Sequence, residues 1–250
     1  MELSAEATSL EHFLPLRGLY REEMNCQIIH DSIHSRPGWS LEYLLKADNE
    51  TAGYGSIAVA GPWKDKPTIY EFYVSPQYRL RLFDLFLVLV TASHAVAIET
   101  QSNDVLLTVM LHTFAKDVLC ESILYHDNKK TNHAPTGAIF RRATAADGLD
   151  IRADQLNSNG VVEFDGKVAA TGGILFHYNP PYGDIYMEVK EPFRRRGLGT
   201  YIVQELKRIC YEGGHIPAAR CNATNVASRK TLQKAGFVPC GNILNGAVTL

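Results

Sequence analysis

Two segments of this chain share one pattern at the point where a predicted strand passes into a predicted helix. Residues 74–81 (VSPQYRLR) align without gaps on residues 189–196 (VKEPFRRR), matching the strand-ending valine, an aromatic residue and two arginines. The next three residues differ, because residues 82–84 (LFD) stand where residues 197–199 (GLG) carry two glycines. Self-similarity of this kind indicates a duplicated domain. The first copy has exchanged both glycines for larger residues.

The length and the composition agree with two globular domains. A chain of 250 residues suits one large domain or two of about 125 residues each. With 46% hydrophobic and 21% charged residues, the chain is neither disordered nor fibrous. The net charge of −2 argues against nucleic acid as a partner. Residues 1–135 carry 11 basic and 17 acidic side chains and residues 136–250 carry 14 and 10, so the second half is the candidate for binding an anion.

No segment is predicted to cross a membrane. The longest apolar run, residues 82–97, contains Asp84 and His94 and is shorter than the roughly 20 apolar residues that a bilayer crossing needs. It predicts a buried helix instead. The segment MELSAEATSLEHF at the start has neither a basic region nor an apolar core, so no signal peptide is expected and the predicted location is the cytoplasm.

The cysteines and histidines predict neither a disulfide framework nor a metal site. The five cysteines are odd in number, scattered and without a CxxC pair. His30 and His34 are spaced to share one face of a helix, but no third metal ligand is evident near them.

The order of predicted elements indicates a mixed α/β fold. The polar segment 125–137 (YHDNKKTNHAPTG) separates two apolar halves and predicts a linker, so we place the domains at residues 1–130 and 131–250. Residues 240–246 (CGNILNG) predict a turn between the final strands. The predicted helices cover residues 12–24, 27–33, 82–97 and 198–211, and the predicted strands cover residues 41–46, 53–60, 68–74, 160–164, 168–176 and 184–189.

The loop 194–200 (RRRGLGT) is the strongest candidate for a binding site. It lies between a strand that ends at Val189 and an amphipathic helix with Ile202, Leu206 and Ile209 at helical spacing. The glycines allow a phosphate to approach the main chain, and the first amides of a helix are unpaired donors at its positive end. The loop therefore predicts a site for a pyrophosphate, although it is neither a P-loop nor a GxGxxG fingerprint.

A second motif follows the loop at a fixed distance. Asn225 and Ser228 are followed by Lys234, Gly236 and Phe237 in the pattern NxxSxxxxxKxGF. Together with the loop, which has the form RxxGxG, this motif resembles the GNAT superfamily of acyl-CoA-dependent N-acetyltransferases. The resemblance is clear over residues 160–240 and degenerate over residues 53–126.

This resemblance implies two tandem GNAT-like lobes, each a twisted, mostly antiparallel mixed sheet flanked by helices. The first lobe is expected to be inactive, and the second to bind acetyl-CoA as co-substrate. The strand around Met187 to Val189 would hold the pantetheine arm, the loop the pyrophosphate, and Asn225 the cofactor arm, with Arg229 nearby. The residues that the resemblance assigns to the cofactor are Met187, Val189, Arg194, Arg195, Arg196, Gly197, Leu198, Gly199, Thr200, Asn225 and Ser228. Asn225 and Ser228 also suit a helix cap without any ligand.

The catalytic residues are less defined than the cofactor loop. Acyl transfer to an amine requires a proton acceptor, for which family members often use a glutamate that corresponds here to Ile185. Asp184, Tyr186 and Glu188 are the candidates, because a β-bulge on this strand would turn one of them inward. The tyrosine that many members use as the acid is replaced by Leu232. The acid is then Tyr186, a nearby tyrosine such as Tyr182, a water or no group at all, since a thiol leaves readily as its anion.

The expected activity is transfer of an acetyl group from acetyl-CoA to a primary amine by direct attack. The acceptor is a small molecule or a peptide, and His177 is a candidate to face it. The alternatives are a non-catalytic acyl-CoA-binding or regulatory module and a transferase for a longer acyl chain. Residues 145–160 are too few for the two helices that shape the acceptor pocket in this family, so the first lobe is expected to contribute to that pocket. The sequence leaves a monomer and a homodimer equally open.

Overall fold

The computed structural model describes residues 2–25, 27, 30–148 and 158–250. The chain forms two compact units. The first unit comprises Met1–Glu121 together with Gly241–Leu250, and the second unit comprises Ser122–Cys240. The domain boundary between residues 130 and 131 stays a prediction from the sequence.

Twelve strands and six helices make up the described chain. In chain order they are β1 (Leu3–Thr8), α1 (Leu14–Met24), α2 (His30–His34), β2 (Ser40–Ala47), β3 (Glu50–Ala58), β4 (Thr68–Val74), α3 (Leu82–Ser93), β5 (Ala97–Gln101), α4 (Val105–Phe114), β6 (Ala115–Asp127), β7 (Ala138–Arg142), β8 (Asn159–Phe164), β9 (Lys167–Asn179), β10 (Tyr182–Val189), α5 (Leu198–Glu212), β11 (Ile216–Asn222), α6 (Val226–Lys234) and β12 (Phe237–Val248). Within these described ranges, no helix is both long and apolar enough to span a membrane.

The first unit is built on a sheet with the strand order β1-β2-β3-β4-β5-β12. Neighbouring strands are antiparallel except β4 and β5, which are parallel. Helix α3 buries Leu85, Phe86 and Leu89 in the core, and the ring of Phe86 meets Phe72 of β4 edge-on at 5.1 Å between centroids. Spacings of three and four residues bring apolar side chains to one face of a helix, so this face is the one that packs on the sheet.

The second unit has the strand order β6-β11-β10-β9-β8-β7, with β6 contributing its residues from Ser122 onward. Its strands are antiparallel except β10 and β11. Helix α5 packs on this sheet through Ile202, Leu206 and Ile209, as their spacing predicts. The sheet and this helix together hold the end of β10 beside the start of α5.

A buried ion pair ties α5 to β6 within the second unit. Lys207 Nζ lies 2.5 Å from Asp127 Oδ1, and each side chain is only 4% exposed. The same ammonium donates hydrogen bonds to the carbonyls of Lys129 and Ala235, both at 2.8 Å. The Tyr211 hydroxyl donates to the other carboxylate oxygen at 2.8 Å. Because both charges are paired and hydrogen-bonded, this cluster can lie out of water.

The structure confirms the mixed α/β class and the six predicted strands, whose ends lie within three residues of the predicted ones. The predicted helix over residues 198–211 is α5, and the helix over residues 82–97 ends as α3 at Ser93, because His94 is left-handed with φ 53°. The helix predicted over residues 27–33 lies partly outside the described residues, and α2 begins at His30. Residues 149–157, from the segment predicted to lack two helices, also lie outside them.

Two predictions about connecting segments are wrong. Residues 240–246 do not form a turn but lie inside β12, where Ile243 to Ala247 pair with Gln101 to Ala97 of β5. Ladder hydrogen bonds to a neighbouring strand outweigh the turn preference of glycine and asparagine. The predicted linker over residues 125–137 begins too early, because Tyr125 to Asp127 belong to β6.

Candidate functional site

The second unit contains a cleft of about 700 Å³ where β10 ends and where α5 and α6 begin. The residues that line it are Met187, Glu188, Val189, Phe193, Arg194, Arg195, Gly197, Leu198, Gly199, Thr200, Asn225, Ala227, Ser228, Lys230, Thr231 and Lys234. Of the residues assigned to a cofactor from the sequence, only Arg196 does not line this cleft. Its guanidinium lies instead over the rings of Phe164 and Phe193, at 5.3 and 6.0 Å from their centroids.

One wall of the cleft is a free strand edge. β10 and β11 pair in parallel only from Tyr182 to Ile185, opposite Ile216 to Ala219. Beyond Ile185, β10 continues to Val189, and among the described strands it pairs there only with β9, on its other side. The main chain of Met187 to Val189 therefore offers amide and carbonyl groups to an extended ligand, as an exposed sheet edge offers them to an added strand.

The loop at the end of the cleft combines two left-handed residues with the start of a helix, a backbone arrangement that can bind an anion. Arg195 and Gly197 are both left-handed, with φ of 64° and 80°, and α5 starts at Leu198. The amides of the first helical turn have no partner within the helix and lie at its positive end. Arg194 Nε donates to the carbonyl oxygen of Val189 at 3.2 Å, which holds the start of the loop against the strand.

The glycines of this loop have different roles. At Gly197 a left-handed backbone is needed, and only glycine adopts it without strain. At Gly199 a Cβ would lie 3.2 Å from Thr231 Cγ2 and 3.3 Å from Val189 Cγ2. Gly199 therefore allows α5, α6 and β10 to approach closely at the bottom of the cleft.

The corresponding loop of the first unit is closed. Arg79 Nε donates to the carbonyl oxygen of Val74 at 3.1 Å, the same contact that Arg194 makes with Val189. The chain then runs from a 3-10 helix directly into α3, and Leu82 has φ −55° where the second unit has left-handed Gly197. All residues of β4 are buried, whereas Tyr186 and Glu188 of β10 are exposed.

The arginines of the first unit's loop are also engaged by acids of the same unit. Arg79 Nη2 lies 2.6 Å from Glu23 Oε2, and Arg81 Nε lies 3.0 Å from Asp84 Oδ2. Asp84 stands at the position of Gly199, so the residue that replaced the glycine also neutralises an arginine.

Helix α6 contributes two lysines to the cleft: Lys234, which is part of the second sequence motif, and Lys230, which no motif predicted. Asn225 caps this helix, because its Oδ1 accepts a hydrogen bond from the Ser228 amide at 3.0 Å. Lys230 and Lys234 follow on the cleft side of the helix and line the cleft. Their spacing of four residues puts them on one helix face, and this spacing was the signal available in the sequence.

The catalytic candidates share one face of β10. Pairing with β9 is regular from Asp184 to Val189, and its irregularity lies earlier, between Tyr182 and Asp184. Side chains therefore alternate along this stretch. Ile185 packs in the core of the second unit with Met187 and Val189 against it, and the alternate residues Asp184, Tyr186 and Glu188 point to the opposite face. No bulge is needed to bring the three candidates together.

Asp184 is the most perturbed of the three candidates. Its side chain is 7% exposed, and Oδ2 lies 3.2 Å from Nε of Arg220. Oδ1 is buried without a hydrogen-bond partner among the described residues. Burial raises the pKa of Asp184 to about 6, against the opposing influence of Arg220. A raised folded-state pKa makes the ionised form less stable in the folded protein than in the unfolded chain, so this carboxylate reduces stability at neutral pH. Such groups are frequent at functional sites.

Tyr186 and Glu188 are more exposed than Asp184. The Tyr186 hydroxyl donates to Asn159 Oδ1 at 2.5 Å, and burial raises the pKa of Tyr186. Glu188 is exposed at the side of the cleft. His177 is exposed in β9, with its ring stacked on Tyr178 at 4.5 Å. Leu232, at the position of the family's tyrosine, is 4% exposed and belongs to the core.

His30 and His34 do not lie at this cleft but in the first unit, where both contact the fully buried Glu71. His30 Nδ1 lies 2.7 Å and His34 Nε2 3.3 Å from this carboxylate, which also accepts hydrogen bonds from Arg17. Burial opposes ionisation of Glu71, yet Arg17 and the two histidines hold its pKa well below the usual value. Tyr54 donates a further hydrogen bond. The polar groups of this network are hydrogen-bonded or ion-paired with one another, which indicates a structural role.

The sequence of residues 125–237 matches the model of the acetyltransferase (GNAT) family. This part of the chain is therefore similar to the GNAT family. The matched residues lie within the second unit, which carries the cleft, the loop and the NxxSxxxxxKxGF motif. The match supports acyl transfer as the general class of reaction and acyl-CoA as the general class of cofactor for this unit.

Solved structures show the same fold over the whole chain. An acetyltransferase of the GNAT family from Colwellia psychrerythraea has a TM-score of 0.74 at 15% identity, with 100% of both chains covered. A GCN5-related N-acetyltransferase from Sphaerobacter thermophilus has a TM-score of 0.65 at 15% identity, covering 99% of this chain and 96% of that one. A tandem GNAT protein from the clavulanic acid biosynthesis pathway has a TM-score of 0.65 at 12% identity, covering 100% and 99%. No curated protein sequence gives a significant match.

These likenesses establish the fold of the chain as two tandem GNAT-like lobes, each a mixed sheet flanked by helices. At identities of 12–15% they establish the fold alone. The chemistry of this protein therefore has to be argued from its own residues.

Proposed function

We propose that the second unit transfers an acetyl group from acetyl-CoA to a primary amine by direct attack. The observation that carries this proposal is the joining, in one cleft, of a free strand edge with a loop of left-handed residues at the start of α5. A strand edge suits the amide-bearing pantetheine arm, and a helix start with arginines suits a pyrophosphate. Both ends of the cofactor thus find a chemically matched surface.

We assign the cofactor-binding residues from the strand edge of β10, through the loop before α5, to helix α6. Met187 and Val189 would bind the pantetheine arm through their main chain. Arg194, Arg195 and the amides from Gly197 to Thr200 would bind the pyrophosphate. Lys230 and Lys234 add positive charge from α6, beside Asn225 and Ser228. Arg196 would act indirectly, by fixing the loop on Phe164 and Phe193.

Asp184 is the proposed general base. A neutral amine nitrogen forms a bond to the thioester carbonyl carbon, the carbon–sulfur bond breaks, and the coenzyme leaves as its thiolate. Asp184 accepts the proton that the amine loses, directly or through one water. With a pKa of about 6, Asp184 is ionised at neutral pH and more basic than an ordinary carboxylate. A thiol of ordinary pKa near 8.5 needs no separate acid, which agrees with the buried Leu232 at the family's tyrosine position.

We further propose that the first unit no longer binds a nucleotide cofactor. Its loop has no left-handed residue at the position of Gly197, and two acids occupy its arginines. The proposed partners are accordingly one acyl donor and one amine acceptor per chain.

Release of free thiol when an amine is added to protein and acetyl-CoA tests the reaction. We expect release with the wild-type protein, and we expect its kcat at saturating substrates to fall about tenfold per pH unit below pH 6, as protonation removes the base. Asp184→Asn should lower kcat by about 100-fold or more and abolish this acidic limb. A variant with an unchanged pH profile would exclude Asp184 as the base.

The second candidate function is a non-catalytic acyl-CoA-binding module. The absence of a tyrosine at Leu232 and the exposure of Glu188 favour it. It predicts that acetyl-CoA binds in a calorimetric titration while no amine releases thiol. Longer acyl-CoA donors in the same assay distinguish an acetyl transferase from a transferase for longer chains.

Arg194 and Arg79 form a matched pair for testing the cofactor loop. Each donates from Nε to the carbonyl of its strand-ending valine, so replacement by alanine removes the same internal hydrogen bond in both units. A charge-assisted hydrogen bond to phosphate is worth about 1.5–3 kcal/mol, so Arg194→Ala should weaken acetyl-CoA binding about 10- to 100-fold. Arg79→Ala should leave the Kd within about twofold. Calorimetry on both variants measures this, and equal effects would contradict the assignment of the site to the second unit.

A further inference from the structure

Asp184 and Arg220 form an ion pair at the point where β10 and β11 separate. The last paired residues of these strands are Ile185 and Ala219. Asp184 precedes the first of them and Arg220 follows the second, and their side chains meet on the face of the sheet away from α5. This is the face that also carries Tyr186 and Glu188. The pair therefore stands next to the free edge proposed to hold the cofactor arm.

Asp184 and Tyr178 hold the Arg220 side chain in place, while its two terminal nitrogens make no hydrogen bond within the described residues. Its Nε lies 3.2 Å from Asp184 Oδ2, and its guanidinium lies over the ring of Tyr178 at 4.6 Å from the centroid. The side chain is 27% exposed, and its two terminal nitrogens have no partner in the described part of the chain. A guanidinium stacked on an aromatic ring keeps its edge free, and that edge matches the two oxygens of a carboxylate.

The carboxylate of Asp184 likewise has a partner for only one of its two oxygens among the described residues. One carboxylate oxygen faces Arg220, and the other is buried without a hydrogen-bond partner among the described residues. A buried carboxylate oxygen in this state lacks a donor that water would have supplied. An ammonium or amine group from a ligand is a donor of the right charge.

We propose that the acceptor is an amino acid or another small molecule whose amine and carboxylate lie on the same or adjacent carbons. Arg220 binds the carboxylate through its terminal nitrogens, and Asp184 accepts a hydrogen bond from the neutral amine and takes the one proton that the amine loses as it attacks the thioester. The two groups are in contact, so a ligand that meets both must carry its opposite charges close together. A polyamine does not fit, because it brings a second cation towards Arg220. The inference rests on the proposed transfer reaction and specifies its acceptor.

Pairs of acceptors that differ only in the carboxylate test this inference. Each amino acid is compared with its carboxamide, with acetyl-CoA as the donor and thiol release as the readout. The wild-type protein should prefer the acid over the amide by at least about tenfold in kcat/KM, since the amide loses the bidentate contact. Arg220→Gln should remove this preference mainly by raising KM for the acid, while the amide is little affected. Arg208→Gln, an exposed arginine on α5, should change neither value.

Two results would overturn the inference. One is equal use of acids and amides by the wild-type protein. The other is an equal loss of kcat for both acceptors in Arg220→Gln, which would make Arg220 only a positioning residue for Asp184. Thermal unfolding of each variant verifies that it is folded.

Failure of the transfer reaction itself is distinguishable from both results. If no amine releases thiol, calorimetric titration of the amino acids into protein loaded with acetyl-CoA still tests the acceptor site. Binding that requires Arg220 would support the site without the reaction, and no binding of any amino acid would reject it.

Discussion

Replacing Lys207 with methionine is expected to destabilise the protein by about 3–5 kcal/mol, because it leaves Asp127 buried without its counter-charge. The two side chains are 4% exposed, and their contact of 2.5 Å is the only ion pair recorded for either residue in the described part of the chain. The carbonyls of Lys129 and Ala235 would lose their donor as well. Urea unfolding of the variant measures the change in free energy, with the unfolding slope checked against that of the wild type.

Two further variants separate the buried charge from other effects of the substitution. Lys207→Met combined with Asp127→Leu removes both charges and should recover most of the lost stability, since a well-packed apolar pair is often as stable as a buried ion pair. Arg208→Met changes the neighbouring, exposed residue and should cost no more than about 0.5 kcal/mol. A Lys207→Met variant within 1 kcal/mol of the wild type would show that Asp127 takes up water or a proton instead.

Gly197→Glu is expected to abolish acetyl-CoA binding, with a loss of more than about 100-fold. Gly197 has φ 80° and stands directly before α5, so a glutamate there adds backbone strain and places a carboxylate beside the proposed pyrophosphate site. Two like charges at such a short distance repel strongly where water is excluded. Calorimetric titration of acetyl-CoA into both proteins measures the effect.

Gly214→Glu is the matched control at the other end of the same helix. Gly214 has φ 75° and a Cβ there would meet no atom within 4 Å, so the substitution introduces a similar strain and the same charge far from the cleft. Its Kd for acetyl-CoA should stay within about twofold of the wild-type value. Gly197→Ala, which adds strain without charge, should fall between the two. If Gly197→Glu binds acetyl-CoA as tightly as the wild type does, the pyrophosphate does not bind at this loop, and the proposed function is wrong.

Local sequence patterns were sufficient for the framework of the site. β4 has the bounds that its run of β-branched and aromatic residues predicts, and α5 begins at Leu198, directly after Gly197, as predicted. The cleft-lining loop and Asn225 were found because both motifs are short, contiguous and coupled to the ends of helices. The same patterns revealed the duplication, down to the shared contact of Arg79 and Arg194 with their valines.

Long-range pairing decided what the sequence could not. Residues 240–246 carry turn-forming residues, yet they extend as β12 because β5 offers them a ladder of hydrogen bonds. Arg196 belongs to the arginine run of the loop but turns to Phe164, a residue from another strand. Neither the pairing with β5 nor the contact with Phe164 can be inferred from the residues that are adjacent in the sequence.

The same distinction separates the two halves of the candidate site. The sequence by itself determined the fold class, the duplicated pattern and the phosphate-type loop, because these follow from short contiguous patterns and from their order along the chain. Only the tertiary structure decided which carboxylate is perturbed, since Asp184 acquires its pKa from burial and its partner Arg220 from a strand 36 residues away (220 − 184). Desolvation and charge pairing depend on which groups are close in space, and the sequence alone does not give those distances.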